Sequence, residues 1–214
     1  MRIHGFTLAE ILITLTIIGV VAALTVPIII NNYKKLVTVN RLKSSYTIFA
    51  QAIQQSENDN GSYKTWDISR PSIIAEKYIN PYLKGISKAS AYNVKALHFD
   101  TSHLYWSTQV PIYNMSNGIT YQINKGIGTT ANYISVLIDI NGKRRPNRMG
   151  KDVFIYMIRD RGLSGLCGIT RTSNLDNYYS ACSKVNKGTN SYSGGCCGGL
   201  IMLDGWKIND DYPW

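Results

Sequence analysis

The sequence lacks the metal-binding and catalytic motifs that would point to an enzyme. It has no Cys-x-x-Cys motif and no Cys/His set at zinc spacing, so it predicts no zinc site. It has no nucleophile elbow, and Gly126-x-Gly128 stands alone without a P-loop pattern around it. We therefore expect a chain that assembles or binds rather than one that catalyses a reaction.

Acidic residues are also few, at 13 against 23 Lys and Arg, so the formal net charge is +10. The cations are scattered, except for the run of Lys143, Arg144 and Arg145. An excess of basic residues favours nucleic acid, anionic lipid or an acidic polymer as a partner. A solvated basic surface explains the same composition, so nucleic-acid binding is kept as an alternative.

The four cysteines, Cys167, Cys182, Cys196 and Cys197, all lie in the last quarter of the chain. Four cysteines allow three pairings. Cys196 and Cys197 are adjacent and would be strained if joined, which favours bridges from Cys167 and Cys182 to that pair. The clustering predicts disulfides that hold a Gly- and Ser-rich C-terminal loop in an oxidising, extracytoplasmic compartment.

One long apolar run begins at Phe6 and ends at Ile30, after a short polar segment that contains Arg2. A helix over residues 6–30 spans roughly 37 Å, enough to cross a hydrocarbon core of about 30 Å. Because Arg2 precedes the run, the positive-inside rule places the N-terminus in the cytoplasm and the rest outside. The alternatives are a plain anchor and a secretory signal, although Val21-Ala22-Ala23 matches a signal cleavage site poorly.

Glu10 is the one carboxylate within this run. A carboxylate costs about 2.5–3.5 kcal/mol at the centre of a membrane helix and less near its end, so it is expected to have a partner. Cleavage before Phe6 would create an α-amino group four residues away, on the same chain or on a neighbouring one. Glu10 therefore argues against both a plain anchor and an ordinary signal peptide.

The segment Gly5-Phe6-Thr7-Leu8-Ala9-Glu10, followed by the apolar run, resembles the prepilin cleavage and methylation motif of type IV pilins and type II secretion pseudopilins. The resemblance implies that prepilin peptidase cuts between Gly5 and Phe6 and methylates the Phe6 amine. It also implies that Glu10 pairs with the N-terminus of a neighbouring subunit during assembly.

The same resemblance implies that Gly19 and Pro27 weaken the helix inside a filament, which agrees with the backbone freedom of Gly and the hydrogen bond lost at Pro. The implied partners are other pilin or pseudopilin subunits, prepilin peptidase and an inner-membrane assembly platform. The implied location is the inner membrane as a single-pass protein, and then a filament in the periplasm or at the cell surface.

An amphipathic pattern follows Pro27 and predicts one long helix over about residues 7–57. Its apolar face repeats every three or four residues, at Leu36, Val39, Leu42, Tyr46, Phe49 and Ile53. The run Asn58-Asp59-Asn60-Gly61 predicts its end. Pro71 begins a predicted short helix that ends at Asn80-Pro81.

Three β-rich segments, 119–123, 133–140 and 153–158, predict an antiparallel meander. We therefore expect an α+β fold, in which a long N-terminal helix with a membrane half and an amphipathic half packs on a small antiparallel sheet. Residues 162–199 are predicted to be a disulfide-held loop, followed by a short apolar strand or helix at 200–203. The last aromatic residues, Tyr212 and Trp214, are expected to pack against the head.

The predicted organisation is a leader at 1–5, a transmembrane or filament-core helix at 6–30, and a pilin-like head at 31–214. The predicted function is a structural subunit of a pilus-like or type II secretion filament. The alternative is a minor pilin that acts as an adhesin or a DNA-binding module. No cofactor is expected. The alternative is calcium at Asp139, Asn141 and Asp152, whose oxygens suit that ion but lie beside three cations.

Overall fold

The computed structural model describes residues 7–92, 94–95, 102–103, 110–125, 133–160, 162–165, 182, 194–210, 212 and 214. The helices are α1 (Leu8–Asn60), α2 (Pro71–Ile73) and α3 (Cys197–Leu203), with a π-helical segment at Ile74–Ile79 and 3-10 turns at Tyr63–Thr65 and Asn80–Tyr82. The strands are β1 (Ser87–Ala89), β2 (Val94–Lys95), β3 (Ser102–His103), β4 (Ile112–Asn114), β5 (Thr120–Lys125), β6 (Ile134–Asp139), β7 (Val153–Arg159) and β8 (Gly162–Gly165). The chain divides into two compact units between Val37 and Thr38.

In the first unit, the apolar side chains of α1 are exposed, for example Leu8 at 79% and Leu24 at 68%. The helix continues through Gly19 and Pro27 without a break. By length and composition it is the one helix in the described part of the chain that is able to cross a membrane. So many exposed apolar side chains require lipid or other helices to cover them.

In the second unit, α1 buries one face against the sheet, which confirms the predicted α+β packing. Val39, Leu42, Phe49 and Ile53 are buried there, and the rings of Phe49 and Tyr121 lie 5.0 Å apart in an edge-on contact. Gly61, at φ +77°, follows the end of α1 at the predicted position. The prediction for Leu36 was wrong: its side chain is 59% exposed, because the buried stripe begins only at Val39.

The sheet is antiparallel in the order β1-β4-β5-β6-β7-β8. All three predicted strands are present as β5, β6 and β7. Their register aligns Tyr121 with Ile138 and Ile138 with Phe154, which form part of the core that includes α1. A smaller cluster, with Leu137, Val153 and Ile155, packs on the opposite face of the sheet.

Two further predictions need correction. The segment 162–199 is not a loop throughout, because Gly162–Gly165 pairs with β7 as strand β8 and α3 begins at Cys197. The sequence of this strand, rich in Gly and Ser, shows no alternation of apolar side chains. The strand forms nonetheless, because backbone groups make the hydrogen bonds to β7. The predicted stop at Asn80-Pro81 was also early, because a 3-10 turn runs to Tyr82. At the C-terminus, Tyr212 is buried and donates a hydrogen bond to the carbonyl of Gly150.

Candidate functional site

The first turn of α1 is closed by reciprocal hydrogen bonds between Thr7 and Glu10. The backbone N–H and the hydroxyl of Thr7 each donate to Glu10 Oε2 at 2.8 Å, and the Glu10 N–H donates to Thr7 Oγ1 at 3.3 Å. This is a capping box, and it fixes the Glu10 carboxylate at the helix N-terminus. Both side chains are exposed, so the carboxylate is accessible to a positive group. Gly5 and Phe6 lie outside the described residues.

Sequence reasoning missed the capping box, although Thr7-x-x-Glu10 before an apolar run is its signature. Glu10 thus has a local structural role at the helix start. The resemblance implies an intermolecular role in addition. The two roles are compatible, because Thr7 binds one carboxylate oxygen, Oε2.

The structure contains one of the predicted disulfides, between Cys182 and Cys197. Cys196 is also disulfide-bonded, and Cys167 lies outside the described residues. Cys197 is the first residue of α3, so the bridge attaches Cys182 to a largely buried helix. The prediction of a disulfide-held C-terminal region is confirmed for this pair.

The structure brings the three calcium candidates together, where β6 ends and β7 begins. Asp139 and Asp152 are buried, and the side-chain amide of Asn141 lies between their carboxylates. Every carboxylate oxygen already accepts a hydrogen bond. The donors to Asp139 are the Asn141 N–H at 3.0 Å and the Tyr92 hydroxyl at 2.6 Å.

Two backbone N–H groups donate to Asp152, those of Asn147 at 2.8 Å and Arg148 at 2.6 Å. The buried pair therefore serves to hold the β6–β7 loop, residues 140–152, in one conformation. Among the described residues, no three His, Cys, Asp or Glu side chains lie together as metal ligands.

If calcium binds Asp139, Asn141 and Asp152, chelation with EDTA should lower the melting temperature of the purified protein, because the ion would bind only the folded state. Thermal unfolding with and without EDTA, and with added calcium, tests this. An unchanged melting temperature in all three conditions would rule calcium out.

Burial raises the pKa of the Asp139 carboxyl to about 7, against the lowering effect of its hydrogen bonds from Tyr92 and Asn141. Burial also raises the pKa of Asp152. Between the ordinary Asp pKa and about 7, the folded state therefore binds more protons at Asp139 than the unfolded state does. The free energy of unfolding should fall as the pH rises through this window, then level off above it.

The substitution Asp139→Asn should reduce that fall by about 2–4 kcal/mol over the window, because it removes the titration of Asp139 and leaves that of Asp152. Denaturant unfolding at a series of pH values measures the slope. Asp67→Asn is the matched control, because Asp67 is exposed and its pKa is lowered by hydrogen bonds from Ser69, so the fall should persist. Equal slopes for Asp139→Asn and the wild type would contradict the assignment.

Comparison with protein families gives two matches. The model of the prokaryotic N-terminal methylation motif matches residues 1–26, which is the prepilin-type cleavage and methylation signal of type IV pilins and pseudopilins. No curated protein and no solved structure matches the chain. The motif and the apolar helix fit a single-pass anchor in the inner membrane and a chain processed by prepilin peptidase. The model of a second family covers residues 28–164, so the chain belongs to the family of unknown function DUF6613 and carries a pilin-type N-terminus.

Proposed function

We propose that the chain is a structural subunit of a type IV pilus-like or type II secretion filament. The observation that carries the proposal is the methylation motif at residues 1–26 joined to an exposed apolar helix with one carboxylate, Glu10. In this proposal residues 1–5 are a leader, residues 6–30 form the membrane and filament-core helix, and residues 31–214 form the head.

The mechanism is assembly. The apolar helix keeps the subunit in the inner membrane until prepilin peptidase cuts between Gly5 and Phe6. The new amino group at Phe6 is a cation in lipid, and the Glu10 carboxylate of a neighbouring subunit neutralises it, which favours docking at the filament base. Gly19 and Pro27 let the helix adjust as apolar helices bundle, and the heads cover the outside.

The apolar stripe supports this proposal, because lipid covers it before assembly and other helices cover it afterwards. The disulfide between Cys182 and Cys197 supports the predicted orientation, because such bonds form in oxidising compartments outside the cytoplasm. An assembly platform in the inner membrane and other pilin or pseudopilin subunits are the proposed partners.

The N-terminus of protein recovered from the cell envelope tests the proposal. We expect the mature chain to begin at an N-methylated Phe6, read by mass spectrometry of the N-terminal peptide. The matched comparison is protein from cells that lack prepilin peptidase, which should retain Met1. A chain that retains Met1 in normal cells, or that begins beyond residue 22, would refute prepilin processing.

A different experiment distinguishes a secretion pseudopilus from a surface pilus. A secretion pseudopilus predicts that deletion of the gene blocks release of folded exoproteins, whereas a surface pilus predicts loss of attachment or motility with secretion intact. Comparing culture-medium proteins and adhesion of the same deletion strain separates these outcomes.

A further inference from the structure

A groove lined by both polar and apolar side chains runs along α1 in the second unit. Two pockets along α1 form it, one walled also by residues 82–84 and the β4–β5 turn at 115–119, the other by that turn and the β6–β7 loop. A third pocket, between the turn and the β6–β7 loop, adjoins them. The first two pockets share Asn117, and the second and third share Gly118, Asn141 and Arg144. Between Asn40 and Gln55 the helix advances roughly 22 Å, which sets the length of the groove.

The groove is cationic. Arg41 from α1 and Arg144 from the β6–β7 loop line the same pocket, of about 360 Å³. Lys143 lines the pocket beside it, and Lys84 lines the far end. No described Asp or Glu lines any of the three pockets, so their charge is unopposed within the groove's walls.

Side-chain donors accompany the two guanidinium groups. The pocket that holds Arg41 and Arg144 is also lined by Asn40, Ser44 and Asn117. Guanidinium groups bind phosphate through two parallel hydrogen bonds, and amide and hydroxyl donors add further contacts to its oxygens.

The cationic wall is held in place before any ligand arrives. Asp139 and Asp152 lie buried at the two ends of the β6–β7 loop and accept its backbone N–H groups, while Lys143 and Arg144 are exposed. A loop fixed in this way loses little conformational freedom on binding, which favours affinity. The buried acidic pair thus has a role in shaping a basic surface.

We propose that this groove binds a nucleic-acid strand, with Arg41 and Arg144 on its phosphates. Arg41, Lys143 and Arg144 lie at one end of the groove and Lys84 at the other. Phosphates repeat along a strand, so a strand is able to reach the cations at both ends, and 22 Å accommodates about six stacked nucleotides at 3.4 Å each. The formal net charge of +10 attracts the same polymer from a distance. The proposal rests on the proposed function only for the position of the head outside the membrane.

The test is binding of a fluorescent single-stranded DNA of about 20 nucleotides to the full-length chain in neutral detergent, followed by anisotropy. The variant Arg41→Gln/Arg144→Gln should weaken binding at least tenfold at physiological salt. The slope of the logarithm of the binding constant against the logarithm of the salt concentration should become shallower by about 1.4, because two phosphate contacts are lost. An unchanged melting temperature shows that the variant is folded.

The matched control is Arg70→Gln/Lys207→Gln, which removes two exposed charges outside the groove. We expect its affinity for the DNA to be within about threefold of that of the wild type, because salt screens the attraction of charges outside the groove. Equal weakening by both double variants would overturn the proposal, because net charge would then explain binding.

Two further binding measurements test other anionic ligands of the groove. Binding of a polyuronate or of anionic phospholipid vesicles that depends on Arg41 and Arg144, with no binding of DNA, would overturn the assignment to nucleic acid. Binding is measured on the purified chain, so its failure leaves N-terminal processing and filament assembly untouched. Conversely, a chain that retains Met1 and still binds DNA through the groove would separate this site from the filament role.

Discussion

Replacing Glu10 by Val should leave membrane insertion and N-terminal cleavage intact but reduce incorporation into filaments at least tenfold. The apolar run remains long enough to span the membrane, and the predicted cleavage bond is unaltered. What is lost is the carboxylate that neutralises the Phe6 amine of a neighbour in lipid, and a loss of about 1.4 kcal/mol already changes an equilibrium tenfold. The readout is the share of the chain in the sheared filament fraction against the membrane fraction.

The capping box complicates this experiment, because Glu10→Val also removes the hydrogen bonds from Thr7. Glu10→Gln separates the two effects, because Gln is accepted in the capping box but carries no charge. If charge pairing drives docking, the Gln variant should assemble as poorly as the Val variant. Wild-type assembly of Glu10→Gln would show that the helix cap, rather than the charge, is what filaments require.

The elements that the sequence predicted correctly are those in which side-chain periodicity and burial agree. In α1 beyond Val39, the apolar residues recur every three or four positions and are buried. In β6 and β7 the β-branched and aromatic residues fill both faces of a covered sheet. The end of α1 before Gly61 was also predictable, because glycine adopts a positive φ readily.

The features that were missed depend on contacts between distant parts of the chain. Strands β1 and β4 have three residues each, too few to show an alternation. The groove combines Arg41 with Arg144, which lie more than 100 positions apart, so composition showed only scattered cations. Asp139 and Asp152 were calcium candidates because of their carboxylate oxygens. The backbone N–H groups that donate to those oxygens come close to them only in the folded loop.

The substitution Gly165→Ala should lower the stability of the head by about 3 kcal/mol, at the upper end for overpacked sites. A Cβ at Gly165 would lie 2.4 Å from the Cα of Gly199 and 3.1 Å from its N, so strand β8 and helix α3 pack backbone to backbone. Backbone atoms have no rotamer to change, so α3 must move. The expected fall in melting temperature is about 6–12 °C.

Ser164→Ala is the control, because it changes the neighbouring strand residue without adding an atom to the contact. It should shift the melting temperature by no more than about 2 °C. Since α3 begins at Cys197, whose disulfide holds Cys182, displacement of α3 should also make the C-terminal segment more sensitive to protease. Wild-type stability of Gly165→Ala would mean that α3 packs less closely on β8 than the structure shows.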